Sequence, residues 1–272
     1  MAKSKVMIVD DAAVFRRLLS DAVAADPELE VVATAPNGKV ALEKLAQLAV
    51  DAVVLDVEMP ELDGIATLKE LRKRHPRLPV VMFSSLTERG AEATLDALSL
   101  GASDYCTKPT STSLEASLAI VRDQLVPKLK TFIAREAQRA RAIPIPRPAA
   151  PVVPVPAAPR PPATRSAPIE LLVIAASTGG PNALMEFFGG LPADFPLPIA
   201  IVQHMPPMFT RLLAERLTAN AAIPVSEAHD GQPLRPGAAI VAPGDFHLEV
   251  ERRAGGFRAR LHQGPPENSV RP

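Results

Sequence analysis

The chain opens with an apolar run, Val6-Met7-Ile8-Val9, that stops at two aspartates, after which the spacing of apolar positions changes period. Over residues 12–25 they recur at intervals of three and four, the mark of one buried helical face, and Val31-Val32-Ala33 then returns to a β-rich run. The alternation continues through a helical pattern at 38–49, Ala52-Val53-Val54-Leu55, a helical pattern at 63–75, Val80-Val81-Met82-Phe83, one at 88–100, Asp104-Tyr105-Cys106-Thr107, and one from 112 to about 136. Strands separated by helix-length segments pair in parallel, so the pattern predicts a doubly wound, flavodoxin-like (βα)5 domain with helices on both faces of the sheet. In such a sheet ligands sit beyond the carboxyl ends of the strands.

A second α/β pattern begins at Leu171-Leu172-Val173-Ile174-Ala175, followed by a Gly-rich turn and a helix opening at Pro181, where a missing N–H costs nothing. Ile199-Ala200-Ile201-Val202 is predicted as the next strand and 207–220 as a helix. Ala239-Ile240-Val241, Phe246–Val250 and Phe257–Leu261 are further strands. Between the two patterns, residues 144–168 hold ten prolines, six alanines and no acidic residue. Proline removes donors and fixes φ, so this stretch is expected to be an extended tether or, alternatively, a ligand for a proline-binding domain. The expected division is 1–125 for the first domain, 126–168 for a helical extension and linker, and 169–272 for a second parallel-sheet α/β domain.

Composition narrows the function. Thirty basic and thirty acidic residues give zero net charge, which removes the basic footprint of a nucleic-acid binder. The balance is uneven: residues 1–133 carry 16 basic and 19 acidic side chains and the remainder 14 and 11, a weak mutual attraction. A single cysteine, Cys106, excludes an internal disulfide or a multi-cysteine zinc site. With no 18-residue apolar run and no signal-peptide pattern after Met1, no membrane insertion is expected and the location is predicted as cytoplasmic.

Asp10 and Asp11 close the first strand, Asp56 the third, Ser84 the fourth and Lys108 the fifth, so the topology gathers all five at one rim. An aspartate at a strand end also serves simply as a turn former. Three adjacent carboxylates, however, stay ionised only beside a cation, and an all-oxygen set suits Mg²⁺. A carboxylate next to Mg²⁺ can take a phosphoryl group, with a hydroxyl and an ammonium to receive its oxygens. Together with Met59-Pro60, Asp63-Gly64 and Lys108-Pro109, this constellation resembles the receiver domain of two-component response regulators. The resemblance implies Asp56 as phosphoacceptor and Asp10, Asp11, Asp56 and the backbone carbonyl of Glu58 around Mg²⁺. It also implies Ser84 and Lys108 on the phosphoryl group, Tyr105 as a switch aromatic, a cis peptide before Pro109, and a histidine kinase as phosphodonor.

In Ala176-Ser177-Thr178-Gly179-Gly180-Pro181 a hydroxyl sits on a tight strand-to-helix turn, where backbone N–H groups can stabilise an oxyanion. Ser177 can equally be a helix cap; the absence of G-K-[ST] argues against a phosphate loop. His204, in Gln203-His204-Met205-Pro206, ends the neighbouring strand on the same rim and is either a hydrogen-bonded structural histidine or the base for Ser177. His229, His247 and His262 have no ligand spacing between them.

These motifs, with Ala242-Pro243-Gly244-Asp245-Phe246-His247 and Gly264-Pro265-Pro266-Glu267-Asn268, make the chain similar to the chemotaxis protein-glutamate methylesterases, the CheB family. The resemblance implies hydrolysis of glutamyl methyl esters on chemoreceptors and, in many members, glutamine deamidation, with no cofactor for the esterase. Ser177 is then the nucleophile, His204 the base and Thr178 an active-site residue with an oxyanion-binding N–H. The family's third triad member, an aspartate in Gly-Met-Gly-x-Asp-Gly, lies beyond the motif at which this sequence ends, so the esterase domain is expected to be incomplete. Asp230 and Asp245 are the substitutes on offer. Two readings follow: a phosphorylation-controlled serine esterase covered by its receiver, or a non-enzymatic phospho-switch whose second half only docks partners.

Overall fold

The computed structural model describes residues 2–111, 113–141, 169–267, 270 and 271. The predicted tether falls outside the described residues. The first unit runs β1 (Ser4–Val9), α1 (Ala13–Ala24), β2 (Leu29–Ala35), α2 (Gly38–Leu45), β3 (Ala52–Asp56), α3 (Gly64–Arg74), β4 (Val80–Ser84), α4 (Glu88–Ser99), β5 (Asp104–Thr107) and α5 (Leu114–Arg141). Its five strands pair in parallel in the order β2-β1-β3-β4-β5, the predicted doubly wound topology.

Alternation along each strand divides the core into two layers. Val6, Ile8, Val54, Val81 and Phe83 face α1 and α5, whereas Met7, Val9, Val53, Leu55 and Met82 face the opposite helices. Both faces are covered, which is why these strands are continuous apolar runs in the sequence. Three helices start where a side chain satisfies an orphan N–H: Asn37 accepts from Val40, Asp63 from Ala66 and Thr87 from Gly90.

The second unit runs β6 (Leu172–Ala176), α6 (Gly180–Gly189), β7 (Ile199–Gln203), α7 (Pro207–Asn220), β8 (Val225–Glu227), β9 (Pro233–Leu234), β10 (Ala239–Val241), β11 (His247–Arg253) and β12 (Gly256–His262). Four strands form a parallel sheet, β6-β7-β10-β8, while β11, β12 and β9 form a separate antiparallel sheet. The second unit is therefore parallel only in part. Gly255 and Gly256, both at positive φ (94° and 125°), turn β11 back onto β12 as a hairpin. Ala200 and Ile240 meet Leu234 and Ala259 in the apolar layer between the two sheets.

One apolar cluster runs from the first unit into the second, with α4 against α6 and α7. Tyr105 stacks on Phe209 of α7 at 4.9 Å between ring centroids and 4° between planes. Arg211 pairs with Glu88 at 2.7 Å and Arg216 with Asp96. Both pairs set a cation of the second unit against an acid of the first, in the sense of the charge division along the sequence. Among the described residues no helix is long and apolar enough to cross a membrane.

Gly64 is the glycine that matters most for the rim. A Cβ there would stand 2.1 Å from the Asp56 carbonyl oxygen and 2.9 Å from Val57 Cα, both backbone atoms that cannot swing aside. Gly64→Ala is expected to cost about 1–3 kcal/mol in urea unfolding, as overpacked sites do; an unchanged midpoint would show that β3 and α3 separate freely.

Candidate functional site

The first site lies at the carboxyl rim of the five-stranded sheet. One carboxylate oxygen from each of Asp10, Asp11 and Asp56 lies within 4.8 Å of the others. Asp10 and Asp56 are buried and Asp11 is exposed. Lys108 reaches in from beyond β5, its Nζ 2.8 Å from Asp56 Oδ2 and 3.5 Å from Asp10 Oδ2, and lies over the Phe15 ring at 4.9 Å. Asp10 Oδ1 accepts from Ala12 N–H at 2.8 Å, but Oδ2 is buried without a hydrogen-bond partner. A buried carboxylate oxygen with no hydrogen bond, its nearest cation 3.5 Å away and two further acids beside it, fits a hard dication, and Mg²⁺ would find its ligands in these three residues.

Burial first, and the neighbouring Asp56 second, push the Asp10 carboxyl up to about 6 against the pull of Lys108. Burial likewise raises Asp56, opposed by its hydrogen bond from Lys108. Ser84 is fully buried, and its hydroxyl donates to Gly90 O at 3.0 Å in the first turn of α4. Glu58 follows Asp56 by two residues; its N–H lies 3.4 Å from Asp56 Oδ1 and its carboxylate 4.0 Å from Arg89. The structure thus gathers Asp10, Asp11, Asp56 and Lys108 directly, with Ser84 behind them. The cis peptide expected before Pro109 is not found: the described residues contain none. Tyr105 is buried on β5, and burial holds its phenol well above the ordinary range.

The second site lies at the corresponding rim of the second sheet. The β6–β7 ladder ends at the pair Ala176↔Gln203, and His204 N–H still donates to Ala176 O at 3.2 Å. Ser177 and His204 are the next residue on each strand, so parallel register sets these two residues beside each other past the end of the ladder. Both are exposed and, with Thr178, line a cavity of about 390 Å³ whose opposite wall is β5 and α5 of the first unit. Partial burial, and then the Lys128 cation, hold the His204 imidazole below its usual range, which favours its neutral form. Gly179 caps α6 at φ 73°, a left-handed conformation that glycine adopts without strain.

Asp245 borders the same cavity at φ 66°, but its carboxylate is held by Arg271 at 2.8 Å and Gln263 at 2.9 Å. Asp230 accepts from Leu261 N–H at 2.9 Å. His247 and His262 stack on each other at 5.0 Å, and His229 bonds to Asp230 O at 3.3 Å.

Three residues of this site are absent from the sequence reading. Asp104, 2% exposed, accepts from Gly179 N–H at 2.9 Å across the interface, while its other oxygen receives Tyr105 N–H at 2.8 Å and Lys128 Nζ at 3.2 Å. Lys128 also donates to Tyr105 O at 2.6 Å. Gln203 is buried beneath Ser177. Its signal was available: Ile199, Ile201 and Gln203 share one strand face, and a carboxamide stands where the alternation calls for an aliphatic residue.

The family profile described as CheB methylesterase matches residues 172–272, and the response regulator receiver domain profile matches residues 6–118. The chain is similar to a protein-glutamate methylesterase/protein-glutamine glutaminase of Nocardioides, 48% identical over 98% of this chain and 72% of the relative. It is similar also to one of Pseudomonas aeruginosa, at 44% over 98% and 72%. Among solved structures it is 45% identical to the Thermotoga maritima CheB methylesterase catalytic domain (TM-score 0.37), covering 38% of this chain and 55% of that one.

The raised Asp10 carboxyl carries a stability consequence. Between about pH 4 and 6 the folded chain holds a proton that the unfolded chain releases, so metal-free stability rises as pH falls through 6. Asp10→Asn removes that dependence and is expected, in EDTA at pH 8, to raise stability by on the order of 1–2 kcal/mol. The gain should shrink toward pH 4, and Mg²⁺ should stabilise the parent but not the variant. A variant less stable at pH 8 would contradict the assignment.

Proposed function

Because the chain belongs to the CheB protein-glutamate methylesterase family, with a response regulator receiver preceding the esterase domain, we propose that Ser177 and His204 hydrolyse glutamyl methyl esters under control of phosphorylation at Asp56. The observation that carries the reading is the β6–β7 register, which ends both strands one residue before the hydroxyl and the imidazole. Relatives named for hydrolysis favour the enzyme over a receiver that only docks partners.

The neutral His204 takes the Ser177 proton as Oγ attacks the ester carbonyl. The carbonyl oxygen gains negative charge, which the Thr178 N–H at the start of the Gly-rich turn is placed to receive. Collapse expels methoxide, protonated by His204 to methanol, and leaves an acyl-serine. Water, deprotonated by the same imidazole, then releases glutamate and free Ser177. On a side-chain amide the same steps release ammonia, in line with the glutaminase in the relatives' names. Asp245 and Asp230 are engaged elsewhere, so neither is assigned to orient His204.

In the receiver, Asp56 takes the phosphoryl group from a histidine kinase, with Lys108 and Ser84 receiving its oxygens. Asp10, Asp11, Asp56 and the Glu58 carbonyl would hold Mg²⁺, which would neutralise charge during that transfer. Engaging Ser84 there takes its hydroxyl from Gly90 O, at the head of the helix whose Glu88 and Asp96 hold α7. The substrates of this reading are methylated chemoreceptors.

With methylated receptor, beryllofluoride is expected to raise methanol release by the wild-type chain. Asp56→Asn should remove that response, and Ser177→Ala should lower turnover by at least about 10⁴-fold. Methanol release equal in Ser177→Ala and wild type would overturn the esterase reading; activation persisting in Asp56→Asn would overturn the coupling.

A further inference from the structure

We propose that Gln203 is a positioning residue, its carboxamide tying together the two strand ends that carry Ser177 and His204. The inference rests on the reading of that pair as nucleophile and base.

Main-chain pairing between β6 and β7 stops with His204 N–H on Ala176 O. Past that bond the two backbones diverge, one into the Gly-rich turn and the other into Met205-Pro206-Pro207, where two prolines offer no N–H. The next cross-strand link is a side chain. Gln203 Nε2 donates to Ser177 O at 3.1 Å and lies 3.3 Å from His204 O, so one amide group touches the main chain of both residues. Ser177 O also accepts from Gly180 N–H at 2.8 Å, which fixes the turn from its other side.

The clamp is built at a cost to the fold. Gln203 is 1% exposed, and its Oε1 is buried without a partner. An orphaned acceptor forfeits its hydration with nothing in return. Space for it comes from Gly180: a Cβ there would stand 1.9 Å from Oε1. A residue selected for packing alone would be aliphatic, as Ile199 and Ile201 are on the same face. Retaining a carboxamide whose acceptor is wasted and whose donor holds Ser177 and His204 points to the donor as the part that matters. Loss of positioning by about 1 Å costs on the order of 100-fold in rate with little effect on binding.

The test is Gln203→Met, close to isosteric and without donor or acceptor, with Gln203→Leu as a second probe. Three quantities are read: the thermal midpoint, kcat and KM for the receptor ester, and the rate at which a fluorophosphonate labels Ser177. The expected result is a midpoint equal to or above wild type, KM within about twofold, and kcat and labelling lowered by about 10- to 100-fold. Wild-type kcat and labelling in the variants would overturn the inference, and so would an activity loss matched by lost stability. Absence of labelling in wild type would overturn the Ser177 reading and this inference with it.

Discussion

A buried carboxylate is shared between the two units. Asp104 is withdrawn from water, and a charge so placed persists only while every lone pair has a donor. Its donors come from β5, α5 and the head of α6, so the receiver supplies two and the esterase the third. The third is the Gly179 N–H in the turn that carries Ser177. Docking thus places a receiver anion at the positive end of a helix beside the candidate nucleophile, where the developing oxyanion of ester hydrolysis would also seek donors. The receiver's β5 and α5 also form one wall of the cavity around Ser177, so the same turn meets the receiver both through this bond and across that cavity.

Asp104 begins β5, whereas Asp56, Ser84 and Lys108 lie at the other end of the sheet. The register Val81↔Asp104 and Ser84↔Thr107 sets the two ends three residues apart, about 10 Å at ordinary strand rise. A phosphoryl group on Asp56 would therefore stand well away from the Asp104–Gly179 bond. What connects them is a series of packed contacts: Ser84 on Gly90 O, α4 on α7 through paired charges, and Tyr105 on Phe209. Each contact is modest alone, and the exposed ion pairs contribute little to stability. Three of them, the Ser84 bond and both ion pairs, fall on the single helix α4.

Much of the receiver was legible because its strands are buried on both faces and so appear as unbroken apolar runs bounded by chemistry-bearing residues. Helix ends were less legible. The helix predicted to reach residue 49 ends at Leu45, where Gln47 N–H closes onto Lys44 O in a tighter i→i−3 turn. In the second unit Pro233-Leu234 is too short and too proline-marked to declare itself a strand, and alternation alone does not say whether Phe257–Leu261 pairs in parallel or antiparallel fashion. Ser177 and His204 stood out as strand-end residues. Asp104 did not, since its role exists only once a turn some 75 residues away is packed on it. Gln203 is legible as a polar break in an apolar strand face, but its bonds to Ser177 O and His204 O appear only in the folded chain.

The most direct test of this account follows one amide. Hydrogen exchange of Gly179 N–H, measured with and without beryllofluoride, reports whether the bond to Asp104 survives occupation of the phosphorylation site. The account predicts strong protection in the free protein and marked loss of it with beryllofluoride, while the β6–β7 ladder amides stay protected. Equal protection of Gly179 in both states would contradict it.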